Sequence, residues 1–180
     1  MAYVIQSDNL SILEQFGDRK ILSESNLLIK QFVLRNSQDQ IIRSIELDDW
    51  HAIKRETIIE YLVGQLKQYE LITNSHFSHF VKEGDDVKAA VFKDGSIEMG
   101  DLFIGADGIH SAVRGNVCNA EFYPNEIDEL VCLVDYRVKG DPYPTFTKYH
   151  EEKQGLAFGI VPVSETQSVW FNQYLSLIHI

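Results

Sequence analysis

The chain has 180 residues, of which 44% are hydrophobic and 24% are charged, a composition typical of a globular protein with a buried core. Its 27 acidic and 16 basic residues give a net charge of -11, which argues against a nucleic-acid or anionic-membrane partner and favours a small-molecule or protein partner. No apolar run reaches the roughly 18 residues of a transmembrane segment, and the N-terminus lacks the pattern of a signal peptide. We therefore expect a cytoplasmic protein.

Two amphipathic helices are predicted in the first half of the chain. In Asn9–Phe16 the apolar residues lie on one stripe of a helix, and Gly17, which follows, is predicted to end that helix. Glu56–Tyr69 shows helical spacing over a longer stretch. The residues predicted to be buried are Leu10, Leu13 and Phe16 in the first helix and Ile58, Ile59, Leu62, Val63 and Leu66 in the second.

The segments between and after these helices are predicted to be β-strands. Leu27–Arg35 and the alternating run IIRSIEL, separated by the polar NSQDQ, favour an antiparallel hairpin. Extended segments follow from Ser75 onwards, and Asp94-Gly95 marks a tight turn between two of them. Near the C-terminus, Gly155–Tyr174 has the pattern of another hairpin.

The stretch Gly100–Arg114, GDLFIGADGIHSAVR, joins an apolar segment to an Asp-Gly turn and a helix start. Asp101–Ile104 is predicted to be a buried parallel strand. At the carboxyl end of such a strand, a turn with glycine lets the backbone approach a ligand, and the N–H groups of the next helix favour a phosphate or ribose phosphate. The same pattern also occurs where the Asp only caps the helix and the Gly supplies a positive φ.

Cysteines and histidines indicate neither a disulfide framework nor a metal site. Cys118 and Cys132 lie in apolar stretches, which favours buried free thiols. The six histidines are scattered, and the closest pair, His76 and His79, would point to opposite faces of a strand. Motifs of serine hydrolases and zinc peptidases are missing as well.

The stretch GDLFIGADGIHSAVR closely resembles the Asp-Gly fingerprint of FAD-dependent aromatic hydroxylases, the class A flavoprotein monooxygenases related to p-hydroxybenzoate hydroxylase. The match runs through Asp101, Gly105, Asp107, Gly108, Ser111 and Arg114. In that family the turn lies near FAD and the reducing pyridine nucleotide. The resemblance implies that Asp107 and Gly108 hold the turn against the cofactor and that Arg114 anchors the turn or a phosphate.

Two further stretches are similar to segments of the same family. In AIKRETIIEYL, Arg55 occupies the position of an arginine that contacts the bound flavin cofactor; the alternative is a solvated arginine at a helix start. GLAFGIVPVSETQSVWFNQY resembles a hairpin of the family's substrate-domain sheet. The implied cofactor-binding residues are thus Arg55, Asp107, Gly108 and Arg114, and no side chain is assigned as catalytic.

The implied fold class is α/β. A partial FAD/NAD(P)-binding Rossmann-like domain with a β-meander is expected over residues 1–118, and part of a mainly β substrate-domain sheet over residues 119–174. The family's GxGxxG unit and its later Gly-Asp motif are not found in the chain, so the resemblance describes an internal fragment that we expect to be inactive and to bind FAD weakly or not at all. Residues 175–180, LSLIHI, are predicted to be a non-native tail, because one choice of codons gives a transposon end used in sequencing libraries.

The resemblance implies an FAD-dependent monooxygenase that uses NAD(P)H and O2 to hydroxylate a small aromatic or heterocyclic substrate. In such an enzyme the cofactor carries the chemistry, and the protein supplies position and electrostatics. Two alternatives stay open on the sequence: a flavoprotein of the same superfamily that does not hydroxylate, such as a reductase or halogenase, and a non-enzymatic binding module.

Overall fold

Residues 1–66, 71–118, 126–136, 142–151 and 155–175 are described by the computed structural model. By their contacts they form two compact units, the first made of residues 1–66 with those from 126 to 175, and the second of residues 71–118. The end of the helix predicted over Glu56–Tyr69 and nearly all of the predicted tail 175–180 lie outside the described residues.

Four short helices and ten strands occur in the described part of the chain. The helices are α1 (Ser7–Leu13), which continues as a 3-10 turn over Glu14–Phe16, α2 (Arg19–Glu24), α3 (Arg55–Gln65) and α4 (Ala112–Val117). The strands are β1 (Ala2–Gln6), β2 (Asn26–Arg35), β3 (Ile41–Lys54), β4 (Phe77–Glu83), β5 (Asp86–Phe92), β6 (Ile97–Met99), β7 (Ile127–Val134), β8 (Thr145–Glu151), β9 (Leu156–Pro162) and β10 (Ser168–Leu175). None of these helices is long and apolar enough to cross a membrane.

A seven-stranded mixed sheet forms the first unit, with strand order β1-β3-β2-β8-β9-β10-β7. Neighbouring strands are antiparallel except β2 and β8, which are parallel. The two hairpins predicted here are confirmed as β2–β3 and β9–β10. The sheet contains strands from both sides of the predicted domain boundary at residues 118 and 119, and that boundary stays a prediction.

The helices of the first unit pack on one end of its sheet. Their shared core consists of Leu10, Leu22, Ile53, Ile58 and Tyr61. The burial of Leu10 is confirmed and Leu13 is half-buried, but Phe16, predicted to lie on the same stripe, is exposed. Phe16 does not continue the buried stripe of α1, because the chain changes from α-helical to 3-10 geometry after Leu13 and the spacing of side chains around the axis changes with it.

The predicted buried face of α3 is largely wrong. Ile58 is buried, and so is Tyr61, which the apolar pattern missed. Since α3 packs on α2, β1 and β3 only through the narrow stripe that carries these two residues, the rest of the apolar surface stays uncovered. The residues exposed against prediction are Ile59, Leu62, Val63 and Leu66.

The second unit contains the antiparallel sheet β4-β5-β6 and the helix α4. The predicted turn at Asp94-Gly95 is confirmed: Gly95 has φ +86°, and the Ser96 N–H donates to Oδ1 of Asp94 at 2.9 Å. The parallel strand predicted over Asp101–Ile104 is wrong, because this segment forms no strand. A strand needs a neighbour for its N–H and C=O groups, and no described strand of this unit pairs with the segment.

The predicted burial of the two cysteines is also wrong, because Cys118 and Cys132 are exposed free thiols. In β7, Val131 and Leu133 pack against the apolar cluster of the large sheet. Successive side chains of a strand alternate between faces, so Cys132 points to the opposite face. The apolar stretch around Cys132 correctly indicates a strand, but it does not indicate which face of the sheet the cysteine side chain lies on.

Candidate functional site

The Asp-Gly turn is joined to the start of α4 by side-chain hydrogen bonds. The Ser111 hydroxyl donates to Oδ1 of Asp107, and the Val113 N–H donates to Oδ2 at 3.1 Å. Ser111 is also the N-cap of α4, since its Oγ accepts from the Arg114 N–H at 2.9 Å. The turn and the first helical turn therefore form one hydrogen-bonded structure.

The Asp107 carboxylate is exposed but electrostatically stabilised. The Ser111 hydroxyl, followed by the Val113 N–H, lowers the pKa of Asp107 below its ordinary value of 3.8. The carboxylate is therefore ionised at neutral pH. The carboxylate is exposed, so a ligand can reach its oxygens.

Two glycines shape the turn for different reasons. Gly108 has φ +82°, a conformation that other residues rarely adopt, and a Cβ placed there would meet nothing within 4 Å. Gly105 lies against Val113, so that a Cβ would come within 2.5 Å of the valine Cγ1. Gly105 thus permits close packing, while Gly108 leaves open space beside the backbone next to Asp107.

Arg114 is half-buried and connects α4 back to the turn. Its guanidinium donates to the backbone carbonyl of Ile109, and its backbone N–H donates to the hydroxyl oxygen of Ser111. The structure therefore brings Asp107, Gly108 and Arg114 together within one turn. This arrangement is also what helix capping alone would produce.

Arg55 lies in the first unit as the exposed first residue of α3. Its Nε donates to the Tyr3 hydroxyl at 3.1 Å, and its backbone N–H donates to the Met1 carbonyl at 3.0 Å. The two terminal guanidinium nitrogens make no hydrogen bond or ion pair with any residue that the structure describes. They are available to a ligand.

A groove that the sequence did not indicate lies in the first unit beside β1. It has a volume of about 770 Å³ and is lined mainly by apolar side chains, among them Tyr3, Ile5, Leu13 and Trp50. Its walls come from β1, α1 and β3, which are brought together only by the fold. Within the described ranges, no group of three or more His, Cys, Asp or Glu side chains is placed to hold a metal ion.

Similarity to curated proteins identifies the relatives of this chain. It is 33% identical over 126 residues to the Aurachin C monooxygenase/isomerase of Stigmatella aurantiaca, covering 67% of this chain and 30% of that protein. The chain is related to monooxygenases, among them FAD-dependent ones. A second such relative, the FAD-dependent monooxygenase subE of Metarhizium robertsii, is 37% identical over 70 residues, which are 36% of this chain and 22% of the relative.

The fold of the chain resembles that of a solved protein that binds FAD. HpxO of Klebsiella pneumoniae, solved in complex with FAD and uric acid, superposes with a TM-score of 0.79 at 18% identity. The superposition covers 99% of this chain and 48% of HpxO, so the chain spans about half the length of this solved protein and less than a third of the two curated relatives. No family model matches the chain. The curated relatives confirm the resemblance to monooxygenases that the sequence predicted, and the fold confirms the predicted α/β class.

Proposed function

We propose that this chain is part of an FAD-dependent monooxygenase that uses NAD(P)H and O2 to hydroxylate a small aromatic or heterocyclic substrate. The observation that carries this proposal is the identity of 33% and 37% to two curated monooxygenases. In this proposal, residues 1–118 belong to a partial Rossmann-like cofactor domain and residues 119–174 to a substrate-domain sheet. Bound FAD would supply the redox chemistry and the reaction with O2.

The Asp-Gly turn has groups that fit the polar part of FAD. The ionised carboxylate of Asp107 is exposed and is an acceptor that suits the cofactor's hydroxyl groups. The open space at Gly108 lets such a group come close to the backbone. Arg114 then has an anchoring role, because its guanidinium is engaged with the Ile109 carbonyl.

Arg55 fits an anionic ligand in the first unit. Two cations, Lys54 and Arg55, and one acid, Glu56, lie at the N-terminus of α3, where the helix dipole disfavours positive charge. A phosphate would relieve this repulsion and accept from the terminal nitrogens of Arg55, which have no partner among the described residues. We assign to Arg55 the role of binding the flavin cofactor.

The test is an FAD titration of the 180-residue chain, followed by flavin fluorescence. We expect weak binding that Arg55→Ala and Asp107→Ala each weaken by about tenfold or more, since each removes a hydrogen bond to a charged group. Arg43→Ala is the matched control, because Arg43 is exposed in the first unit and lies outside the site. Equal FAD affinity of the two site variants and the parent chain, at unchanged melting temperatures, would contradict these assignments.

A further inference from the structure

Three polar side chains of the first unit, a serine, a histidine and an asparagine, form a line of hydrogen bonds. Oγ of Ser7 lies 3.1 Å from Nε2 of His51, and Nδ1 of the same ring lies 2.8 Å from Oδ1 of Asn26. Ser7 is exposed, whereas His51 and Asn26 are half-buried. A hydroxyl, an imidazole and an orienting group in this order form a triad that activates a nucleophile, and such triads are recognised by geometry and not by a sequence motif.

The fold brings these three residues together from separate elements. His51 of β3 pairs with Ile5 of β1 on one side, and α1 begins with Ser7 directly after β1. On its other side His51 pairs with Leu28 of β2, the strand that begins with Asn26. Paired residues share a face of the sheet, and so do residues two apart on a strand. Asn26 and His51 therefore lie on the same face.

Two backbone carbonyl groups fix the tautomer of His51. The amide nitrogen of Asn26 donates to the carbonyl oxygens of Leu22 at 2.7 Å and Ser23 at 3.3 Å. Because a carbonyl oxygen can only accept, the amide nitrogen has to face these groups, and the amide oxygen therefore faces His51. In the neutral ring Nδ1 then carries the proton and donates it to Asn26. Nε2 keeps its lone pair and accepts from the hydroxyl of Ser7.

We propose that Ser7 and His51 form an acyl-transfer site for activated esters. The hydroxyl of Ser7 lies nearer to Nε2 of His51 than to its other acceptor, the carbonyl of Asp49 at 3.4 Å. Oγ of Ser7 forms a bond to the carbonyl carbon of the ester while its proton passes to Nε2. The leaving group takes that proton as its bond to the acyl carbon breaks. Water then attacks the acylated serine by the same route and releases the acid.

The third member of the triad sets the class of substrate. Asn26 orients the ring but, being neutral, does not stabilise the imidazolium as a carboxylate would. The reaction is therefore limited to esters whose leaving group needs little assistance, such as esters of phenols. Ser7 and His51 are the catalytic residues of this site, and Asn26 is a positioning residue.

The first experiment labels the 180-residue chain with a fluorophosphonate, which reacts irreversibly with an activated serine hydroxyl as fluoride leaves. Peptide mass spectrometry measures the labelling rate at each serine. Ser11 is the matched control, because it is an exposed serine of the same helix whose hydroxyl donates to the carbonyl of Asp8 at 2.7 Å. We expect Ser7 to be labelled about 100-fold faster than Ser11, as is typical of general base catalysis, and His51→Gln to remove this difference.

Labelling of Ser7 no faster than that of Ser11 in the parent chain would overturn the inference, and this comparison needs no variant to fold. An unchanged rate at Ser7 in a folded His51→Gln protein, as judged by circular dichroism, would also overturn it.

The second experiment measures turnover with 4-nitrophenyl acetate, followed by the absorbance of the released nitrophenolate. We expect Ser7→Ala to slow the release by about tenfold or more, while Ser11→Ala keeps the rate of the parent chain. Equal rates in the two variants would contradict a nucleophilic role of Ser7. Since none of the three triad residues is assigned to the cofactor, an FAD titration of the same proteins reports separately on the proposed function.

The role of Asn26 has a spectroscopic readout that a merely structural residue would not change. In Asn26→Leu the ring of His51 loses the acceptor at Nδ1, so we expect its nitrogen NMR signals to change from the Nδ1-protonated form to a mixture of both tautomers. Labelling of Ser7 should slow at the same time. A His51 tautomer that is the same in both proteins would overturn the positioning role.

Discussion

At the scale of single residues, Asp107 is an exposed carboxylate whose charged form is stabilised by hydrogen bonds within its turn. Its carboxylate accepts from the Ser111 hydroxyl and the Val113 N–H, so the ionised form is stabilised by short-range hydrogen bonds. The same logic applies to Asp94, where Ser96 lowers the carboxyl pKa through its side chain and its backbone. Both aspartates are therefore ionised parts of a turn, although only Asp107 lies in the candidate cofactor site.

Acid titration should report the bond between Ser111 and Asp107. Because the folded-state pKa of Asp107 lies below 3.8, its hydrogen bonds stabilise the turn fully above pH 3.8 and are lost as the pH falls through the lower folded-state pKa. We expect Ser111→Ala to raise this pKa toward 3.8, measured by NMR of the carboxyl carbons. The pKa of Asp94 should not change and serves as the internal control. An Asp107 pKa that is the same in both proteins would show that Ser111 does not stabilise the carboxylate.

At the scale of elements, β9 and β10 pack closely at one point because Gly159 of β9 has no side chain. Gly159 lies beneath the Phe171 ring, and the ring occupies the space that a Cβ would need. The consequence is local close packing between β9 and β10. Glycine is required at position 159 because a side chain there would collide with the Phe171 ring, and not because the backbone has a positive φ.

Gly159→Ala should therefore destabilise the protein. We expect a loss of about 1 to 3 kcal/mol in the free energy of unfolding, because the Phe171 ring must move away from residue 159 and from its contact with the Phe146 ring. The control is Gly64→Ala in α3, where a Cβ meets nothing within 4 Å and alanine should stabilise the helix by about 0.5 to 1 kcal/mol. Denaturant unfolding measures both changes. A Gly159→Ala protein as stable as the parent would contradict the packing described here.

At the scale of the whole molecule, a net charge of -11 is combined with an exposed apolar segment in the second unit. Leu102 is 78% exposed and Ile104 is 82% exposed, although the sequence pattern places both in a strand. Apolar residues concentrated at the surface favour association, while like charges on two copies oppose it. Salt should shift this balance, because it screens the charge but not the apolar contact.

We expect the chain to self-associate more at high salt than at low salt. The double variant Leu102→Ser with Ile104→Ser should reduce this association, because it removes the two most exposed apolar side chains of the segment that was predicted to be a strand. Light scattering across a range of protein and salt concentrations measures the effect. Ile41→Ser with Ile42→Ser, an exposed pair at the start of β3, is the control for a general loss of hydrophobicity. A parent chain that stays monomeric at high salt would contradict the prediction.

The sequence by itself determined the features that depend on neighbouring residues. Turn chemistry predicted the β2–β3 and β9–β10 hairpins and the turn at Asp94-Gly95, since the residues of a turn and its flanking strands are close in the chain. The motif from Gly100 to Arg114 likewise indicated the relationship to FAD-dependent monooxygenases. The cofactor roles of Arg55, Asp107, Gly108 and Arg114 stay predictions.

Only the tertiary structure decided which surfaces are covered. The spacing of apolar residues predicts an apolar stripe on a helix, but the stripe is buried only where another element packs on it. In α3 the neighbouring elements bury only Ile58 and Tyr61. Asp101–Ile104 has the composition of a strand and no paired strand among those described in its unit. The contact between the rings of Phe32 and Phe146, 5.1 Å apart between centroids, depends on pairing between β2 and β8, strands far apart in the sequence. Local patterns do not encode such contacts, because each depends on elements that fold against it from elsewhere in the chain.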